Sequence, residues 1–228
     1  MDYFKYPLDT KMLLRKKEII KKELLNSSNE WIYTKIAILG GSTTDEFTKQ
    51  LEIFLLNYGI KMDYYQSEYG QYWEDSMFGN ELLDTFQPDL IYIHTSWRNI
   101  KQFPMIADTK LDVANRIDTE YQQFEAMWSS IEKKYHCPII QNNFDRPNYR
   151  LMGNRDIWDY RGRSHYISEL NQKFYCYAQQ HDNFYINDLE YIAQDYGLSE
   201  WGNSRYWYMY KYAMCLNAIP YIADSVSK

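Results

Sequence analysis

Ser42 is the first residue whose setting suggests chemistry. It follows the apolar run Lys35-Ile36-Ala37-Ile38-Leu39 through Gly40 and Gly41, and Thr43-Thr44-Asp45-Glu46 opens a helical pattern behind it. A short apolar run broken by two glycines reads as a buried strand that turns directly into a helix. A serine at that turn sits at the carboxyl edge of a sheet, where open α/β sheets bind ligands. Three uses are compatible with it: a nucleophile, a donor to a ligand, or a share in the helix cap. Thr43 with Glu46 three residues on fits a capping box, which leaves Ser42 outside the helix. A phosphate cradle around Gly41 fits less well. No Gly-Lys-Ser/Thr follows, and Asp45 and Glu46 oppose an anion.

Further polar groups fall at the ends of other candidate strands. Gly70, in Ser67-Glu68-Tyr69-Gly70-Gln71-Tyr72, is either a turn glycine or a backbone amide free to approach a substrate oxygen. His94-Thr95-Ser96-Trp97-Arg98-Asn99 offers imidazole, hydroxyl, guanidinium and carboxamide within one loop. Gln141-Asn142-Asn143 ends another apolar run. Several such clusters on one edge predict a pocket. His94 reads either as an irregular base for Ser42 or as a histidine bonded within the sheet edge. His136 reads as a helix-end cation, and His165 and His181 as groups on a solvated helical pattern. No histidine and carboxylate pair has ligand spacing on one helix, so no metal is expected, and no cofactor.

The elements that must position these groups follow a regular alternation. Candidate strands cover 35–39, 61–66, 89–95, 137–142 and 184–187. Helical patterns cover 43–57, 80–86, 111–135, 164–181 and 204–216, after a first helical stripe over 9–29 that ends in Asn26-Ser27-Ser28-Asn29. Strands separated by helices imply βαβ units and a mainly parallel sheet. The expected fold is α/β: a three-layer, doubly wound, five-stranded sheet in the order 2-1-3-4-5, with Ser42 and His94 at one edge. An N-terminal helical extension over 1–30 precedes the α/β domain over 31–228.

Bulk properties narrow the function classes. A net charge of −6 over 228 residues argues against a surface for a phosphate backbone, so no nucleic acid is expected. The Lys/Arg run from Lys11 to Lys22 reads as the solvated face of an amphipathic helix. No apolar stretch is long enough to span a bilayer and no signal-peptide core is present, so the expected location is the cytoplasm, away from membrane. Cys137, Cys176 and Cys215 are widely spaced and each reads as a small buried hydrophobe. The 24 tyrosines are the compositional outlier and suit wet pockets and interfaces.

Gly40-Gly41-Ser42, Gly70 and Arg98-Asn99 after the first three strands resemble the SGNH hydrolase layout. The chain is more closely similar to the N-terminal SGNH-like module of FkbH-like proteins of HAD subfamily IIIC. The matching words are KIAILGGSTT (35–44), YGQYWEDSMF (69–78), IHTSWRNI (93–100), CPIIQNNF (137–144), LMGNRD (151–156) and YWYMYKYAM (206–214). The resemblance implies an ester hydrolase or an acyl or glyceryl transferase serving polyketide or surface-polysaccharide assembly. Ser42 would be the nucleophile and Gly70 and Asn99 the oxyanion donors, with His94, by its expected place on the strand beside Ser42, standing in as an irregular base. Gly41, Arg98, Asn143, Tyr206 and Trp207 would bind an acyl, glyceryl or sugar-type ligand. It also implies a HAD phosphatase domain as partner, in the same or another chain, although no Asp-x-Asp-x-Thr/Val motif lies within these residues. The closing Asp-x-x-His of the SGNH pattern is missing. Trp201-Gly202-Asn203-Ser204-Arg205-Tyr206-Trp207 stands in its place, which leaves a second reading open. In that reading the module is catalytically degenerate and binds a ligand or docks a partner domain.

Overall fold

The computed structural model of the chain describes residues 3–27 and 30–228. Its elements run α1 (Thr10–Ser27), β1 (Ile32–Gly40), α2 (Asp45–Asn57), β2 (Ile60–Gln66), α3 (Tyr72–Met77), α4 (Glu81–Phe86) and β3 (Leu90–His94). A 3-10 turn over Trp97–Asn99 precedes α5 (Lys110–Tyr135), β4 (Ile139–Asn142), α6 (Arg163–Ala178) and β5 (Phe184–Asn187). The chain closes with α7 (Leu189–Tyr196), α8 (Leu198–Trp201), α9 (Ser204–Tyr210) and α10 (Ile219–Val226). The five strands pair in parallel in the order β2-β1-β3-β4-β5, as the alternation predicted.

Side-chain alternation along the strands builds one core on each face of the sheet. Ala37, Leu39, Ile91, Ile93 and Ile139 pack against α5 and α6, where Trp128 meets Phe174, Tyr177 and Phe184. Ile36, Ile38 and Tyr92 face the opposite way, onto Phe47, Leu51 and Phe54 of α2 and Ile222 of α10. Leu13 and Ile20 of α1 are fully buried in that same cluster, and Lys17–Glu46 and Lys21–Glu52 ion pairs tie α1 to α2. The N-terminal helical extension is thus docked on the α/β unit through its apolar stripe. Ser28 and Asn29 of its expected stop signal lie outside the described residues.

Four expectations change. The helix predicted over 204–216 ends at Tyr210, because Lys211 adopts the left-handed conformation (φ 60°) and caps it. A separate helix, α10, follows, begun by Ile219 and Pro220 at its first turn. The Thr43–Glu46 capping box does not form. The N-cap is Thr44, with no side-chain cap, while Thr43 donates to the Tyr210 carbonyl and Glu46 binds Lys17 and Gln50. Cys176 is exposed on the outer side of α6 and Cys215 is half-buried; only Cys137 is a buried hydrophobe. Finally, α3, α7 and α8 add turns that the periodicity missed. Among the described residues no helix is long and apolar enough to cross a membrane, and no cluster of three His, Cys, Asp or Glu side chains is arranged to hold a metal ion.

Candidate functional site

The carboxyl ends of β1 and β3 meet at the edge where the order of the sheet reverses. Gly40 pairs with His94 across the ladder, and the Gly41 amide donates to the His94 carbonyl at 2.9 Å. Ser42 follows and is 2% exposed. Its Oγ is buried without a hydrogen-bond partner among the described residues. Buried polar atoms normally have one, so this orphan needs an explanation. Ser42, Thr43, Thr44 and Asp45 form one wall of a cavity of about 360 Å³, faced by Gln66, Ser67, Glu68 and Tyr69.

His94 shares the edge with Ser42 but no hydrogen bond joins them. It lies two residues after Tyr92 and points to the same sheet face, stacked on Phe47 at 5.4 Å. Its Nδ1 is 3.0 Å from the Tyr92 hydroxyl, which donates to Asn142 Oδ1 at 2.8 Å. Asn187 donates to the same Oδ1, and Ser225 donates to Asn187, so the network runs from β3 through β5 to α10. Burial pulls the imidazole down to about 4, so it is neutral near pH 7. The sheet-edge reading of His94 fits this geometry.

The expected oxyanion donors are also engaged. Gly70 has φ +76°, as a turn glycine does, and its amide donates to the Gly40 carbonyl at 3.2 Å. Asn99 Oδ1 accepts from the Ser96 amide, and its Nδ2 donates to the Gly41 carbonyl at 2.9 Å. Asn99 therefore braces the turn that carries Ser42. Gly41 suits this approach, since a Cβ there would overlap the Asn99 carboxamide. Gly41→Ala should cost about 1–3 kcal/mol through the overlap. An unchanged melting temperature would show that Asn99 does not brace the turn.

The expected ligand residues divide. Asn143 does not reach the crevice: it is fully buried, with Nδ2 on Tyr175 and Asp188 and Oδ1 on the Glu190 amide. It anchors the start of α7 instead. Tyr206 packs its ring near Tyr210 on α9. That helix does border the Ser42 turn, for Thr43 donates through Oγ1 to the Tyr210 carbonyl and through its amide to the Lys211 carbonyl. Trp207 lies on the Arg98 guanidinium at 4.5 Å, and Trp97 covers Arg98 at 4.6 Å.

Two residues escaped the sequence reading. Asp145, just past β4, is fully buried, and Trp201 is 1% exposed. Asp145 Oδ2 accepts from Trp201 Nε1 at 2.6 Å and Oδ1 from the Trp97 amide at 3.0 Å. Burial pushes the carboxyl up to about 6, and these two donors and the Arg98 charge pull it back in part. Asp145 was hidden because it ends a run of buried residues. Trp201 stood in plain view, in the segment that replaces Asp-x-x-His.

The comparisons with known proteins agree with this architecture. Residues 35–228 match the family described as "FkbH, N-terminal domain". The N-terminal part of protein BF1531 from Bacteroides fragilis, containing a phosphatase domain complexed with Mg, superposes with a TM-score of 0.77 at 17% identity. The match covers 93% of this chain and 55% of that one, so the present chain spans about half the length of that relative. TesA superposes at 0.53 with 12% identity, covering 84% of this chain and 95% of its own. A GDSL-like lipase from Parabacteroides merdae does so at 0.51 with 14% identity, covering 88% and 99%. At these identities the likeness is one of fold. No curated protein sequence matches this one closely enough to count as a relative. From the matched family the chain belongs to the FkbH N-terminal domain family, and its fold is SGNH-hydrolase-like.

Proposed function

We propose that this module binds a small-molecule ligand in the crevice beside Ser42 and does not hydrolyse it. One observation carries the reading: Ser42 Oγ is buried with no partner, while the segment that should supply its base places Trp201 on Asp145. A serine hydroxyl is a weak nucleophile at neutral pH and needs an adjacent base to attack a carbonyl. His94 is committed to Tyr92, and the amides of Gly70 and the side chain of Asn99 are committed to backbone carbonyls. The acyl or glyceryl transfer that the SGNH layout implies thus has few of its parts free. The exposed Tyr69, Tyr208 and Tyr210 offer aromatic surface on the same side of the fold, suited to a ligand or a partner domain.

The likeness to the BF1531 fragment, whose structure contains a phosphatase domain, supports a HAD-type phosphatase domain as the partner that acts on what this module holds. A cytoplasmic setting accompanies this reading, since all three cysteines are free. The test is covalent. Treatment with a fluorophosphonate probe should leave Ser42 unmodified by peptide mass mapping, and short-chain aryl esters should turn over no faster with the wild type than with Ser42→Ala. Labelling at Ser42, or turnover lost in Ser42→Ala, would restore the hydrolase reading.

A further inference from the structure

Arg98 is a half-buried arginine whose Nε, unlike that of any other arginine among the described residues, is buried without a hydrogen-bond partner. Arg116, Arg146, Arg155 and Arg161 each hold a carboxylate. Arg98 holds none: its Nε is buried without a partner, and among the described residues no ion pair or side-chain hydrogen bond engages its terminal nitrogens. A half-buried cation without a hydrogen-bonded anion is costly, because the water it gives up is replaced only in part. Asp145 is near enough for its charge to be felt, but both its oxygens are taken by Trp97 and Trp201. Tyr149 and Tyr208 are the other titratable groups that bear on Arg98.

The guanidinium is also held still. Trp97 and Trp207 cover it at 4.6 and 4.5 Å, which fixes the plane of the fork. Lys211 Nζ stands 5.4 Å from the same Trp207 ring and likewise joins no ion pair among the described residues. Two unpaired cations thus converge on one indole in a chain of net charge −6. Asp45 and Glu68 line the neighbouring cavity by Ser42, so an anion is favoured on the Arg98 side and not against that wall.

We infer that Arg98, clamped between Trp97 and Trp207 and assisted by Lys211, is an oxyanion receptor that engages a carboxylate or phosphate group of the ligand. The inference rests on the binding reading above and gives it a ligand class. A planar fork already fixed in place loses little entropy on forming two parallel hydrogen bonds to such a group. Neutral ligands gain nothing from it.

The experiment follows the Arg98 Nε–H and Trp207 indole N–H resonances of the whole chain by NMR. Inorganic phosphate and acetate are titrated separately, with ionic strength held constant by chloride. A saturable shift with phosphate identifies a phosphate receptor, and one with acetate alone a carboxylate receptor. Arg98→Gln should weaken that binding about tenfold or more. Arg98→Lys keeps the charge between the indoles while removing the fork, so it should stay folded and still bind more weakly than the wild type. Lys211→Gln should weaken it by less than Arg98→Gln does. No saturable shift with either anion in the wild type overturns the inference, as does wild-type binding in both folded Arg98 variants. Failure here with Ser42 unlabelled removes only the ligand class. Labelling of Ser42 removes the binding reading whatever the titrations show.

Discussion

Trp201→Ala is expected to destabilise the fold by about 3–5 kcal/mol, the usual cost of truncating a buried tryptophan. Trp201 is 1% exposed and lies in the cluster that joins α2, α7 and α10 to the sheet. Its ring meets Tyr196 edge-on at 6.1 Å, and its carbonyl receives the Cys215 amide at 2.7 Å. Truncation leaves a cavity and also strips Asp145 of one of its two donors. In a chain of this length the loss amounts to roughly 10 °C in melting temperature. Trp201→Phe separates the two effects. It keeps most of the apolar volume and removes only Nε1–H, so a loss of about 1–3 kcal/mol is expected from the orphaned carboxylate oxygen. Urea unfolding of both variants provides the check. A Trp201→Ala loss under about 1 kcal/mol, within the range of an ordinary surface change, would show that the residue is not the support described.

The sheet was legible in the sequence because each strand is a short apolar run closed by a turn signal, and helical patterns lie between. Parallel pairing and the 2-1-3-4-5 order follow from that alternation, and they bring Gly40 beside His94. What the sequence hid depends on tertiary demands that outrank local ones. Thr43 and Glu46 have the spacing of a capping box. The exposed carbonyls of Tyr210 and Lys211, from the far end of the chain, claim Thr43 instead, and Lys17 claims Glu46. The left-handed position that ends α9 is filled by Lys211 and not by the glycine or asparagine that marks such a stop, so the helical pattern reads on through 216.

The site was legible only in outline. Polar residues at strand ends marked the correct edge, but residue type alone did not say which would point into the crevice. Asn143 and Asn99 are both carboxamides after a strand. One anchors α7 from the interior, and the other braces the Ser42 turn. Asp145 and Trp201 are far apart in sequence, and no local spacing rule links them. Their contact exists because the loop after β4 and the short helix α8 fold onto one another. The missing Asp-x-x-His was the sole signal that this corner of the fold departs from the SGNH pattern.

Asp145 should also impose a pH dependence of defined sign. Its carboxyl is pushed up to about 6 in the folded protein against an ordinary value of 3.8, with burial the largest cause. Below about pH 3 both folded and unfolded states carry the proton, and no penalty arises. Between about 4 and 6 the unfolded chain ionises first while the folded one stays protonated, so ionisation favours unfolding. Stability falls through that window by about 3 kcal/mol and then levels off. Glu120, also buried and raised, pushes the same way, so the wild-type curve alone does not isolate Asp145. Asp145→Asn does. The amide does not titrate, whereas Glu120 and the other carboxylates are common to both proteins. At any one pH the variant's stability includes a separate cost: an amide accepts through only one of its two atoms, so Trp97 N–H or Trp201 Nε1–H loses its acceptor. That cost is constant with pH and drops out of the comparison. The expected result is that the wild type loses about 3 kcal/mol relative to Asp145→Asn between pH 3 and pH 7, measured by urea unfolding at each pH. Parallel curves for the two proteins would mean that Asp145 ionises normally in the fold, and that the groups around it, Trp97, Trp201 and Arg98, fully offset its burial.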